Sequence, residues 1–278
     1  MRRPGATVRY DVVEVTGGQA HRHEDRVATE EPLELRLTWP GSPPQPLAVT
    51  MRTPGHDFEL AAGFVLSEGL VVNPAGVHGI AYCTEEQLAP EQVYNTVTVT
   101  LDAPPPRPLP ARFGAVAAAC GICGKDSLDA ISDFGGRPVS SELQVQPGVL
   151  SALPALLRRS QPVFARTGGL HAAGLFDAAG ELVVAREDVG RHNAVDKVLG
   201  AAALAGTDTT AALLCTSGRA GFEIVQKAVM ASIPVVVAVG APSSLAVACA
   251  REYAVTLVGF TREHRFVVYA APQRVRGV

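Results

Sequence analysis

Apolar and polar residues alternate with a period of two along "PLELRLTW" (32–39), "PLAVTMR" (46–52) and "YNTVTVTLD" (94–102), which predicts half-buried strands. Between them "FELAAGFVLSEGL" (58–70) places its apolar positions at helical spacing. This first part reads as mixed strands and helix. "DAPPPRPLP" (102–110) carries too much proline for a helix or a central strand, and it marks the expected boundary between two units. The expectation is a smaller α+β domain over 1–110, ending in a Pro-rich linker, and an α/β domain over 111–278.

The texture changes near Leu150. Strand-like runs then alternate with helical ones: "ELVVARE", "HNAVDKVLGAAALAG", "AALLCTS", "FEIVQKAVMAS", "IPVVVAV", "SSLAVACAREYA", "VTLVGF" and "RFVVYA". Such alternation predicts a largely parallel sheet covered by helices, the α/β class. Ligands of such sheets bind at the carboxyl ends of strands, where the strand-to-helix loops emerge.

Three of those loops carry candidate chemistry. "EDVGRHN", "TSGRAG" and "GAPSS" each run from a predicted strand into a helix and supply glycines or hydroxyls at the helix start. Free backbone N–H groups and the positive end of the helix dipole favour an anion there. Ser217, Gly218, Arg219, Asp188, Arg191 and His192 are the candidate binding residues, and the ligand chemistry is a phosphate-bearing molecule. The alternative for any one loop is an ordinary capped turn. "TSGRAG" lacks the terminal Lys-Ser/Thr of a Walker loop.

Composition narrows the classes. The 278 residues hold 24 Lys and Arg against 27 Asp and Glu, a net charge of −3, so no global basic field points to nucleic acid or an anionic membrane. The basic start "MRRPGATVRY" is not followed by the apolar run of a secretory signal, and the longest apolar run, "IPVVVAVGA", is well short of a membrane span. Five cysteines, an odd number, show no secreted-type framework, so a cytoplasmic protein with reduced thiols is expected.

Two cysteines sit together in "ACGICGKDSLD" (119–129). A zinc site needs four ligands, or three plus water, and one C-x-x-C supplies two; His171 is a candidate third. A thioredoxin-like pair opens a helix just after a strand, whereas this pair follows a proline-rich segment and has glycines at 121 and 124. Lys125 favours a thiolate, and a thiolate with glycine neighbours suits a third role: accepting sulfur as a persulfide and passing it on. A pair of inert thiols is the plain alternative.

Other residues admit ordinary explanations. His171, in "GGLHAAGLF", lines a pocket or is a core histidine bonded to backbone. Asp196 and Lys197 read as a solvated helix face, and Glu223 and Lys227 as an i, i+4 surface pair. Cys215 and Cys249 read as small core residues. Cys83 is ambiguous.

The motifs "CGICGKDSLD", "TGGLHAAGLFD", "EDVGRHNAVDKVLG", "TSGRAGFEIVQKAVMASIPVVVAVGAPSSLAVACA" and "TLVGFTR" together resemble the formate dehydrogenase accessory sulfurtransferases, the FdhD/NarQ family; "TPGHDFELAAGFVLSEGL" is similar to its early region. The resemblance implies a sulfur carrier of the cytoplasm. It would take sulfur from a cysteine desulfurase and pass it to the molybdenum cofactor, bis(molybdopterin guanine dinucleotide), before insertion into formate dehydrogenase. Carried over by motif, Cys120 is the persulfide-bearing nucleophile, Cys123 its helper or relay, and "FTREHR" (Phe260, Thr261, Arg262, Glu263, His264 and Arg265) the cofactor-binding stretch. A guanine nucleotide is the expected surrogate ligand, and a homodimer the expected state. The resemblance also implies a cytidine-deaminase-like fold for the C-terminal α/β/α domain. Zinc deaminases pair a His-x-Glu motif with a later Pro-Cys-x-x-Cys. Here Ala173 stands where that glutamate would be, and the cysteine pair precedes the histidine. A cofactor-binding chaperone that handles no sulfur, and a zinc hydrolase using His171, are the competing functions.

Overall fold

The computed structural model describes residues 5–83, 94–109, 131–133 and 135–278. The cysteine motif, with Cys120 and Cys123, lies outside the described residues, as does Pro110.

Twelve strands form three sheets among the described residues. The first sheet is a hairpin of β1 (Thr7–Thr16) and β2 (Gln19–Ala28), which the sequence reading did not anticipate. It is exposed along nearly its whole length, with Tyr10, Val13 and Val15 facing water. Its base touches the body where Ala28 meets Gly169.

The second sheet has the order β4-β3-β6-β5, from β3 (Glu31–Trp39), β4 (Ser42–Arg52), β5 (Val77–Tyr82) and β6 (Thr96–Leu101). The alternation predicted for 32–39 and 94–102 is realised: Leu33, Leu35 and Leu37 of β3 and Val97, Val99 and Leu101 of β6 form one buried face. Helix α1 (Asp57–Ser67) covers that face with Leu60, Ala61 and Val65. Arg107 donates to the Glu68 carbonyl, and Leu109 packs on this core, so the proline-rich run is tied to the first unit up to Leu109.

The third sheet has the order β12-β11-β10-β9-β7-β8: β7 (His171–Phe176), β8 (Leu182–Asp188), β9 (Leu213–Thr216), β10 (Val235–Ala238), β11 (Thr256–Arg262) and β12 (Arg265–Ala270). Only β9, β10 and β11 run parallel to one another. The expectation of a largely parallel sheet is corrected to a mixed one. Its edges are hairpins, because Asp177 Oδ1 accepts from Ala179 N and Glu181 N to close a tight β7–β8 turn, and Glu263 and His264 turn β11 back into β12. The all-apolar "VVVA" of β10 is buried on both faces, as a central parallel strand requires.

Helices α4 (Arg191–Leu204), α5 (Phe222–Met230) and α6 (Ser244–Glu252) lie on one face of this sheet. Helix α2 (Pro147–Arg159) covers the other with Leu150, Leu153 and Leu157, and the short α3 (Phe164–Thr167) follows it. The result is a three-layer α/β/α unit joined to an α+β unit. No helix of the described residues is long and apolar enough to cross a membrane.

The join is a helix crossing at glycine. A Cβ on Gly63 of α1 would lie 1.9 Å from the Asp196 carbonyl oxygen, and one on Gly200 of α4 would lie 1.8 Å from that of Glu59. Only two glycines allow the backbones this close. Around the crossing run buried charges. Lys227 Nζ sits 2.8 Å from Asp196 Oδ1 and 2.9 Å from Ser67 Oγ, while Arg52, fully buried, grips Asp57.

Candidate functional site

The loops after β8, β9 and β10, the start of β7 and the β11–β12 turn meet at one edge of the six-stranded sheet, because β7 is antiparallel to β9 and β12 to β11. Backbone bonds lace this edge: Phe260 N donates to Gly240 O over 3.1 Å, and Gly240 N to Gly218 O over 2.9 Å. A Cβ on Gly240 would come within 3.0 Å of Gly218 O, so the β9 and β10 loops rest directly on each other.

Between this edge and α2 opens a cavity of about 650 Å³. Its walls include His171, Val189, Ser217, Thr261, Arg262 and Glu263, with Arg158 and Gln161 from α2 and Phe164 from α3. That volume lies within the range of small-molecule sites. The wall is mostly apolar, with two guanidinium groups and a few hydroxyls, which suits a ligand with flat rings and an anionic linker.

Thr261 is fully buried, and its Oγ1 has no hydrogen-bond partner among the described residues. A buried hydroxyl left so costs about 1–3 kcal/mol. Ser217 Oγ accepts from Ala172 N over 2.9 Å and retains its own proton to donate. Arg262 is anchored, with Nη1 donating to Val239 O and to Thr261 O over 2.8 Å each.

The other sequence-predicted residues are distributed around this cavity. Phe260 stands half-exposed outside it, in the left-handed region at φ 50° within a bulge of β11, and His264 and Arg265 are exposed at and after the turn. Gly218 is where two side chains converge, since a Cβ there would sit 3.5 Å from both Arg191 Cδ and His171 Nδ1. Arg191 Nε is buried without a partner among the described residues, whereas Arg219 is exposed. His192 Nε2 lies 3.3 Å from Glu223 Oε2, where the N-termini of α4 and α5 abut. Asp188 does not face the cavity: it is fully buried, and both its oxygens are taken by protein donors.

Burial and neighbouring charge lower both histidines. Burial, then Arg191, lowers His171, with Asp188 opposing. Burial, then Arg191, Lys227 and His171, brings His192 down to about 3. Burial raises the Glu223 carboxyl, the Glu68 charge adding to this, against Lys227 and Arg191.

The helix starts differ in their caps. α6 is capped by Ser243, whose Oγ accepts from Ala246 N, while α4 and α5 begin at Gly190 and Gly221 with no side-chain cap. The ordinary capped turn therefore accounts for "GAPSS" and not for the other two loops.

Two assignments made from spacing are corrected. Asp196 and Lys197 are not a solvated face but are buried at the join of the two units, and Lys227 is buried and pairs with Asp196 instead of Glu223. Spacing alone cannot reveal this, because the covering surface comes from α1, far away in sequence. Cys215 and Cys249 are buried core thiols, as read; burial raises both, Cys249 to about 12. Cys83 is also buried, with Arg36 Nη1 3.9 Å from its Sγ. Among the described residues no three His, Cys, Asp or Glu side chains form a metal-binding group.

Sequence reasoning missed the α2 wall. Leu150, Leu153 and Leu157 do carry helical spacing, but Pro154 interrupts the pattern and conceals it. Arg158, which lines the cavity, stacks 4.1 Å over the Phe164 ring. Glu187 holds α3 by accepting from Val163 N and Phe164 N over 2.9 and 2.7 Å.

Comparison with known proteins agrees with this architecture. The sulfur carrier protein FdhD of Streptomyces coelicolor is 48% identical over 276 residues, covering 97% of this chain and 95% of that protein. The sulfur carrier protein FdhD of Mycobacterium tuberculosis is 44% identical over 282 residues, covering 97% and 99%. A crystal structure described as a formate dehydrogenase accessory protein, from Desulfotalea psychrophila, superposes with a TM-score of 0.75 at 25% identity, over 97% of this chain and 99% of that one. The model of the FdhD/NarQ family matches residues 28–276, which takes in every loop of the cavity edge, and the chain belongs to that family.

Proposed function

We propose that this protein is a sulfurtransferase that accepts sulfur as a persulfide on Cys120 and delivers it to the molybdenum cofactor in its bis(molybdopterin guanine dinucleotide) form. Its relatives are named sulfur carrier proteins, and its structural neighbour a formate dehydrogenase accessory protein. The donor in this reading is a cysteine desulfurase, the recipient of the finished cofactor is formate dehydrogenase, and the chain works as a cytoplasmic homodimer.

The observation that carries the reading is the cavity at the strand ends, with Arg158, Arg262 and Ser217 in its wall. The cofactor is cargo here. Its guanine nucleotide moiety needs donors for phosphate and an apolar slot for a ring; Arg262, Arg158 and Ser217 supply the first, and the side of α2 around Leu157 the second. The His171 ring adds a hydrogen-bonding group, and burial disfavours its charged form. A thiolate at Cys120 would attack the donor persulfide and release the donor thiol, which leaves the sulfur on this chain for transfer.

Intact-protein mass spectrometry after incubation with a cysteine desulfurase and cysteine tests the reading. A gain of one sulfur, ~32 Da, removed by reductant and lost in Cys120→Ala, is the expected result. No gain in the wild type, with guanine nucleotide still bound, would leave a cofactor-binding chaperone in its place. Comparing Cys123→Ala in the same experiment separates a relay from a bystander.

A further inference from the structure

The motif "EDVGRHNAVDK" contains an acid and a lysine, Asp188 and Lys197, that do not line the cavity and yet are almost wholly buried, at 0% and 1% exposure. Lys197 Nζ lies 2.7 Å from Asp188 Oδ2, 2.8 Å from Thr53 O and 3.4 Å from Glu187 O, which uses all three of its donors. Asp188 Oδ1 accepts from Gly190 N over 2.8 Å and from Asn193 Nδ2 over 3.1 Å, and Oδ2 also accepts from Thr53 N over 3.1 Å. Thr53 returns the contact, its Oγ1 accepting from Val189 N over 3.2 Å. Two distant pieces of chain are thereby joined: the residue after β4, and the continuous stretch from the end of β8 into the first turns of α4.

A buried ion pair is weak evidence for stability, since an apolar pair of similar volume is often as stable. What it does enforce is direction. Val189 forms part of the cavity wall, and Arg191, two residues on, packs beside His171 at Gly218, its Nε without a partner among the described residues. With Val189 N tied to Thr53 Oγ1 and Gly190 N tied to Asp188, the backbone leading into Arg191 has one course.

We infer that Lys197 and Thr53 are positioning residues for the cavity. Acting through Asp188, they hold the Val189–Arg191 loop in place, so the N-terminal α+β unit completes a binding site whose lining comes from the C-terminal unit. The inference rests on the reading of the cavity as a guanine nucleotide site. Thr53 belongs to "TPGHDFE", so this also assigns a task to an N-terminal motif that the cavity lining leaves unexplained.

The test is calorimetric titration of the full-length protein with GDP at a temperature well below melting. Thr53→Val keeps the volume and removes the acceptor for Val189 N; Thr53→Ser keeps the acceptor; Lys197→Met removes the ammonium. The expected result is a Kd raised about tenfold or more in Thr53→Val and Lys197→Met, with unchanged circular dichroism, and restored to the wild-type value in Thr53→Ser. Should Lys197→Met not fold, the two Thr53 variants decide alone. Folded Thr53→Val binding GDP within twofold of wild type would overturn the positioning role and leave the nucleotide site standing. A wild type that binds no GDP would overturn the nucleotide reading, and the positioning role with it.

Discussion

Replacing Gly200 by alanine tests whether the two units are joined at backbone contact. In an ordinary helix the change stabilises by about 1 kcal/mol, because glycine has more backbone freedom to lose. In α4 the new Cβ would lie 1.8 Å from the Glu59 carbonyl oxygen and 2.7 Å from the Gly63 nitrogen. A carbon–oxygen contact settles at about 3.3 Å or more, so α1 and α4 must part by roughly 1.5 Å. Overpacking of this kind costs about 1–3 kcal/mol. Parting also stretches the 2.9 Å bond from Ser67 Oγ to Asp196 and the 2.5 Å pair of Glu59 with Arg186. Each is worth about 1 kcal/mol. With the propensity gain set against these losses, the variant should be less stable by about 2–4 kcal/mol, or roughly 3–7 °C in Tm for a chain of this size. Thermal melts followed by circular dichroism measure this, with Gly148→Ala as control, since a Cβ there meets nothing within 4 Å. A Gly200→Ala protein melting at or above the wild type would refute the reasoning.

Three further outcomes are expected. Arg52→Met strands the buried Asp57 carboxylate, so urea unfolding should show a loss of about 3–5 kcal/mol; a loss below about 1 kcal/mol would mean that Asp57 finds another partner. The Glu59 carboxyl, which burial would raise, is brought down from 4.5 to about 2 by Arg186 and His56. Its folded value lies below its unfolded one, so its stabilisation is present above pH 4.5 and is lost as pH falls toward 2, and Glu59→Gln should flatten the stability profile across that window. Thr261→Val removes a buried hydroxyl with no hydrogen-bond partner among the described residues, so the free protein should keep its stability or gain up to about 1 kcal/mol in urea unfolding; a clear loss would show that the hydroxyl serves the fold.

Much of the architecture is legible in local pattern. The period-two strands β3 and β6, the apolar runs of β9, β10 and β11 and the helices between them all stand where periodicity puts them, because each is short-range in cause. What is not legible is what arrives from elsewhere in the chain. Strand direction at the sheet edges depends on the Asp177 turn and on the two-residue turn at Glu263 and His264, features of geometry more than of hydropathy. Lys197 and Lys227 look like surface charges until α1 and the Thr53 turn cover them. Of the candidate site, "TSGRAG" and "FTREHR" lie at the sheet edge where the cavity opens, whereas the α2 wall with Arg158 is hidden by Pro154.

The β1–β2 hairpin has a consequence for how this chain can change over generations. Selection for folding acts through buried surface, and this arm contributes almost none: it lies outside all three buried clusters, and the family match begins at residue 28, where the arm ends. Substitutions beyond its base leave the three buried clusters undisturbed, so that part of its sequence is free to drift unless something outside the protomer restrains it. Tyr10, Val13 and Val15 are apolar groups in water on such an arm. Their retention across relatives would be a record of encounters with other molecules, kept by selection for those encounters and not for the fold.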